Sequence, residues 1–412
     1  MRKWFESILK YIRENRFNRG LMRHFDWPLF LIVLAISLFG VVSIFSATTI
    51  TVTEKPATVM EMLSTQPITY ARLQLLWILA GIGVMSAIMY FSYDLYGKYA
   101  NVIYFANILI LLAVLTVEAG RGGMTAFFSW GSSSERTFQP SEVGKIAIII
   151  AFARAFAVRK KEIVTVRDIL PLVIYLAIPL ILIVAQPDIG TAMVYIAVFC
   201  IMVFVSGTSY KLILGALVVA ILVAIPAWYL LNASGGNFRL TRILMWLHPD
   251  EYPDEARQVI NAQIAAGSGG LWGKGIVSVG SFASLGYISD DHTDFIFAIV
   301  CESFGFAGGF ALVVGYILML ARMAWLAHRV RDPLGSYMIV GVLSMFMFHI
   351  IENVCMVIGL LPVTGIPLPF MSYGGSNMLT NMMGIGLVMN VVMRDRIRNE
   401  RVRTTPGRSR PI

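Results

Sequence analysis

Long apolar runs alternate with shorter polar breaks along almost the whole chain. Ten runs have about the length that a hydrocarbon core of roughly 30 Å demands of a helix: 27–48, 72–92, 98–117, 142–158, 168–186, 189–207, 211–231, 294–324, 336–361 and 376–393. The breaks are unequal. Four long ones, about 49–71, 118–141, 232–293 and 361–375, fall on one side once the crossings are counted. The pattern predicts an all-α polytopic membrane protein with a large extracytoplasmic loop, 232–293, between helices 7 and 8. It also predicts three parts: a basic amphipathic segment (1–26), a ten-helix membrane domain (27–393) and a basic tail (394–412).

Charge then sets the orientation. The clusters "RKWFESILKYIRENRFNRGLMRH" (2–24), "AVRKKEIVTVRD" (157–168), "AHRVRDP" (327–333) and "RDRIRNERVRTTPGRSRPI" (394–412) lie on the other side, so both termini are expected in the cytoplasm. The first 26 residues are broken by charge and the first apolar run lacks a small-residue cleavage pattern, so no cleavable signal is expected. Composition agrees: 57% hydrophobic and 14% charged residues place the chain in a bilayer. The net charge of +9 is therefore topological, and nucleic acid is not an expected partner, whereas membrane lipids are. Cys200, Cys301 and Cys355 sit within apolar runs and predict no disulfide.

Polar residues at membrane depth are costly, and each carries two readings. In "FQPSEVGKIAIII" (138–150), Glu142 and Lys145 open a helix either as a local ion pair or as a pair facing a polar cavity where Lys145 meets a phosphate. In "AQPDIGTAMVY" (185–195), Asp188 is placed to cap the following helix. The long outer loop keeps Arg239, Arg242, Arg257 and Lys274 on the side that basic residues avoid, which suits an anionic ligand, while Trp246 and Trp272 suit the membrane interface. In "GLLPVTGIPLPFMSYGGSN" (359–377), Gly374, Gly375 and Ser376 either approach an anion or simply turn the chain and cap the last span. Finally, "SDDHTDFIFAIVCESFGFAGG" (289–309) offers Thr293 or Asp294 as a helix cap. Glu302, on roughly the same helical face as Asp294, extends a polar stripe inward and implies a water-filled or substrate-filled groove.

Five of these stretches, "QPSEVGK" (139–145), "QPDIGT" (186–191), "IAAGSGGLWGKG" (264–275), "HTDFIFAIVCESFG" (292–305) and "GLLPVTGIPLPFMSYGGSN", resemble in order the signature motifs of the SEDS family (shape, elongation, division and sporulation). The resemblance implies an inner-membrane peptidoglycan glycosyltransferase. Such an enzyme polymerises the undecaprenyl-linked disaccharide-pentapeptide lipid II beside a class B penicillin-binding protein that cross-links the product. "PVTGIPLPF" and "GIGLVMN" (384–390) are closer to RodA, the elongation member, than to FtsW, the division member. Carried over by residue, Asp294 matches the family's essential acid and Glu142 with Lys145 its essential ionic pair.

Transfer from a sugar pyrophosphate needs a deprotonated acceptor hydroxyl and a stabilised leaving group. The expectation is Asp294 as base or positioning acid, Lys145 and Arg242 near pyrophosphate, and Glu302 lining the cavity. No tightly bound cofactor is expected; with no His or Cys cluster at ligand spacing, any metal would be Mg²⁺ or Mn²⁺ held partly by substrate. The chain departs from the family at Ser129, where an arginine usually precedes Trp130 (Arg121 and Arg136 are the substitutes on offer), at Asn261–Ala262, and at Cys355. The rival readings are a lipid II carrier or flippase, a quiet scaffold for a synthase partner, and the division member of the same family.

Overall fold

The computed structural model describes residues 19–49, 67–115, 128–129, 137–159, 163–186, 188–212, 214–215, 238–289 and 291–404. Over these residues the helices are α1 (Arg19–Met22), α2 (Trp27–Ala47), α3 (Thr69–Tyr90), α4 (Tyr93–Lys98), α5 (Ala100–Leu115), α6 (Pro140–Ala157), α7 (Val166–Ala185), α8 (Ile189–Val205), α9 (Phe238–Leu247), α10 (Pro253–Ser268), α11 (Ile296–Arg329), α12 (Pro333–Val357) and α13 (Gly375–Thr404). A two-residue antiparallel ladder, β1 (Phe128–Ser129) with β2 (Thr137–Phe138), is the one strand pairing among them. The all-α expectation holds. Most of the seventh predicted span, together with Arg121, Trp130 and Arg136, lies outside the described residues.

α2, α3, α7, α11 and α12 are long and apolar enough to cross a membrane, and α5 and α8 are shorter apolar helices. This is a multi-pass membrane protein. Helices dominate because hydrocarbon offers no partner for backbone N–H and C=O groups, so each segment must satisfy its own. Two thirds of the apolar window of α12 is buried by protein, against about a fifth in α7 and just over a quarter in α3 and α11. α12 is therefore the spine of the bundle. The outer helices turn side chains such as Leu76, Leu79, Leu109, Ile181 and Phe204 outward, where lipid replaces the missing protein contacts.

α11 is not one continuous helix. Gly305 adopts φ +69° within it, a conformation that only glycine takes cheaply, and the ladder opens there. The turn 269–275 fills the gap: the N–H groups of Lys274 and Gly275 bond the carbonyls of Glu302 and Ser303 at 2.9 and 3.0 Å. The N–H groups of Phe306 and Ala307 in turn bond Gly270 and Leu271 at 2.8 and 3.1 Å. Outer-loop backbone thus substitutes for the lost helical bonds.

At the other end, Asp26 caps α2 by accepting from the Leu29 N–H at 3.3 Å and gathers Arg322 of α11 (2.9 Å) and Arg396 of α13 (2.6 Å). α13 also runs past its predicted end at 393 to Thr404, because its basic residues find partners: Arg394 bonds Asn390 at 2.8 Å and Arg398 pairs with Asp94 at 3.2 Å. Burial pushes the Asp26 carboxyl up, but the hydrogen bonds of Arg322 and Arg396 outweigh it and hold it below its ordinary value of 3.8. Asp26→Asn is expected to cost about 2 kcal/mol at neutral pH, since both arginines are partly exposed. That contribution is complete above the ordinary carboxylate value and fades as pH falls through the lowered one. Unfolding of both chains at about pH 7 and about pH 3 checks this, and an equal penalty at the two would contradict it.

Candidate active site

Pro140 takes the first position of α6, where its missing N–H costs nothing, and the next turn delivers Glu142 and Lys145 to one face. They meet at 2.6 Å, both almost fully buried. A second partner completes the arrangement. Lys145 Nζ lies 3.0 Å from His349 Nε2 of α12, and His349 Nδ1 lies 3.1 Å from the Pro367 carbonyl. A carbonyl only accepts, so the ring proton sits on Nδ1 and Nε2 accepts from the ammonium. His349 thereby ties the α6 pair to the loop after α12. Lys145 is 2% exposed, so the expected phosphate contact is not open to it in this structure.

One turn further along α12, Glu352 accepts a hydrogen bond from Thr364 Oγ1. Asn353 Nδ2 donates both to the Asp294 carbonyl at 2.7 Å and to the Ile366 carbonyl at 2.9 Å. These neighbours clamp the 364–366 loop and the Asp294 turn together. Asp294 Oδ2 lies so near Gly365 that a side chain there would begin 3.3 Å away. From the far side Ser372 Oγ donates to the Thr293 carbonyl at 2.6 Å and the Tyr373 N–H to the His292 carbonyl at 2.9 Å.

The helix-cap reading of Thr293 and Asp294 fails. α11 begins at Ile296, the cap position is Phe295, and no side chain caps it. Asp294 is instead half-buried on the preceding turn. Arg242, on α9, is also half-buried, with Nη1 3.4 Å from the Val363 carbonyl, while Trp246 of the same helix donates to the Gly359 carbonyl at 3.0 Å. Burial lowers the Arg242 guanidinium from its ordinary value and the Asp294 carboxylate opposes that shift. Glu352 also lies within electrostatic range of Asp294. Asp294, Arg242 and Glu352 therefore surround one spot beneath the 362–369 loop.

The other candidates fall elsewhere. Glu302 is 1% exposed; its Oε1 accepts from Lys274 Nζ at 2.7 Å and from the Phe282 N–H at 2.9 Å. It anchors the outer loop at the α11 break. Because Asp294 precedes the helix, no continuous stripe joins the two. Ser376 Oγ accepts from the Gln139 N–H at 3.1 Å, and Asp188 accepts from Gln139 Nε2 (2.7 Å), Ser141 Oγ (3.0 Å) and the Thr191 N–H (3.0 Å). The expected cap at Asp188 is present and ties α8 to the start of α6, whose Gln139 in turn reaches Ser376 of α13. His349, Glu352 and Asn353 were missed, although "HIIEN" inside an apolar run satisfies the same criterion that singled out Glu302. Among the described residues no three His, Cys, Asp or Glu side chains are placed to hold a metal ion.

Residues 26–397 match the family model for FtsW, RodA and SpoVE, described as cell cycle proteins. The chain belongs to the SEDS family. It is 32% identical to the peptidoglycan glycosyltransferase MrdB of Escherichia coli K12, over 89% of this chain and 93% of that one. Its fold is similar to a chain of a peptidoglycan synthase complex solved for the coordination of polymerization and crosslinking (TM-score 0.71, 28% identity, 90% of this chain and 98% of that one). It is also similar to the Thermus thermophilus rod shape determining protein RodA (TM-score 0.63, 26% identity, 90% and 97%). Within this SEDS protein, Lys145→Met should cost about 3–5 kcal/mol by stranding the Glu142 carboxylate, and adding Glu142→Gln should recover part of the loss. Thermal unfolding in detergent measures both, and a Lys145→Met chain as stable as the parent would contradict the account.

Proposed function

We propose that the protein is a peptidoglycan glycosyltransferase that polymerises lipid II on the extracytoplasmic face for cell-wall elongation and shape. Its partner in this reading is a class B penicillin-binding protein that cross-links the strand. The observation that carries the proposal is Asp294: a half-buried carboxylate, clamped by its own carbonyl to α12 and facing a half-buried arginine beneath a proline-stiffened loop.

A carboxylate in that setting can take the proton of an acceptor sugar hydroxyl as its oxygen attacks the anomeric carbon of the lipid-linked sugar. The bond from that carbon to the pyrophosphate oxygen breaks, and the electron pair leaves with the lipid pyrophosphate. Arg242 is the cation within reach to neutralise that anion. A divalent ion, Mg²⁺ or Mn²⁺ held partly by the substrate, would add positive charge to offset the negative charge of the leaving pyrophosphate. Glu142, Lys145 and His349 act from behind by holding α6, α12 and the 362–369 loop in one arrangement. MrdB, named a glycosyltransferase, and RodA, named for rod shape, support this reading over a carrier or scaffold.

The test is glycan formation from fluorescent lipid II by the purified full-length protein with its partner synthase. Asp294→Asn is expected to lower polymerisation about 100-fold or more with unfolding temperature unchanged. Equal polymer from both chains would contradict the assignment. Depletion in cells separates elongation from division: rods that round up support the first, filaments the second.

A further inference from the structure

We propose that a hollow at the end of the bundle opposite Asp294's outer loops binds the phosphate of an anionic glycerophospholipid headgroup. The hollow has a volume of about 370 Å³, and its polar lining combines Arg329, Arg331, Arg396, His24 and Asn399 with two carboxylates, Asp395 and Glu400. It opens where α2 starts, α11 stops and α13 leaves the bundle, the level at which apolar helix gives way to charged chain. In a membrane that level is the headgroup layer.

Cations outnumber carboxylates in the lining, three arginines against Asp395 and Glu400. Both lining carboxylates, and Asp26 beside them, already have partners. Asp26 binds Arg322 and Arg396; Asp395 accepts from the Arg331 N–H at 3.2 Å and from Asn399 Nδ2 at 2.8 Å; Glu400 meets His24 at 3.2 Å. The guanidinium groups of Arg329 and Arg331 are exposed, and among the described residues neither has a carboxylate partner. Two free guanidinium forks at one hollow suit a phosphate diester.

Trp325 distinguishes a lipid from a soluble anion. Its ring is packed by two guanidinium groups, with Arg322 4.3 Å and Arg329 4.4 Å from its centroid, and it remains 39% exposed. An exposed tryptophan at the membrane boundary offers an apolar surface for the glycerol and upper acyl chain beside cations that take the phosphate. The sequence on either side of the described residues is net basic. Residues 1–18 carry five Lys or Arg against two Glu, and residues 405–412 carry two Arg and no acid. The choice of cytoplasmic leaflet rests on the orientation proposed above; the phosphate site does not.

The experiment is native mass spectrometry of the full-length protein released from vesicles of phosphatidylglycerol or of phosphatidylcholine. The chains compared are the parent, the Arg329→Gln/Arg331→Gln double variant, and Arg23→Gln as a basic control outside the hollow. The parent and Arg23→Gln are expected to retain phosphatidylglycerol in preference to phosphatidylcholine, and the double variant to retain it about tenfold less. Unfolding temperature in detergent should be unchanged, since both arginines are exposed. Equal retention by the double variant, or equal retention of the two lipids, overturns the proposal. Displacement of phosphatidylglycerol by millimolar inorganic phosphate overturns the lipid assignment in favour of a soluble anion. Asp294→Asn should keep the lipid, so failure of the headgroup site and failure of the glycosyltransferase reading are read separately.

Discussion

A charge inside a membrane bundle has no water to fall back on, so its partners must be supplied by the protein, and in supplying them the protein fixes where its helices lie. The buried contact of Lys145 with Glu142 and His349 is where this constraint acts most strongly. Breaking it would leave a carboxylate or an ammonium uncompensated at a cost that no surface rearrangement recovers. Because His349 also donates to Pro367, the same contact decides where the loop after α12 sits. That loop covers Asp294.

α12 can serve two clusters because two thirds of its apolar window is enclosed by protein and because His349 and Glu352 fall one turn apart on it. One residue faces the ion pair of α6, the other the threonine of the loop, and Asn353 beside it holds the Asp294 backbone. The division of labour follows from burial. Lys145 and Glu302 are sealed by protein and hold elements together, whereas Asp294 and Arg242 remain half-open and can meet a substrate. Glu302 does for the α11 break what His349 does for the loop: it fixes irregular backbone that hydrocarbon would not tolerate alone.

Much of this was legible in the residues themselves. Runs of apolar letters are a reliable record of helices in lipid, since a broken run there has no solvent to rescue it, and the nine predicted spans that fall on described residues correspond to helices within a few positions at most of their ends. The end of α13 is the exception, because a hydropathy reading stops at Arg394 while side-chain pairing carries the helix on. Spacing also foresaw the Glu142–Lys145 pair and the Asp188 cap, both local contacts within a turn. Contacts between distant segments were not foreseeable in the same way. Nothing in the sequence of Glu302 says that Lys274 will reach it from the outer loop, and the polar stripe it suggested required a helix through Asp294 that the turn at 291–295 does not form. His349 and Glu352 were visible by the cost of ionisable groups at membrane depth, but their meaning depended on partners supplied by α6 and the loop.

The central claim is that the spot enclosed by Asp294, Arg242 and the 362–369 loop receives a lipid-linked sugar pyrophosphate. The most direct measurement is a structure of the full-length protein with a non-hydrolysable lipid II analogue bound. The account predicts a sugar hydroxyl at hydrogen-bond distance from the Asp294 carboxylate, the phosphates toward Arg242, and Lys145 still closed on Glu142 and His349. A ligand seated away from Asp294, or one that opens the Lys145 contact to take the phosphate there, would contradict it.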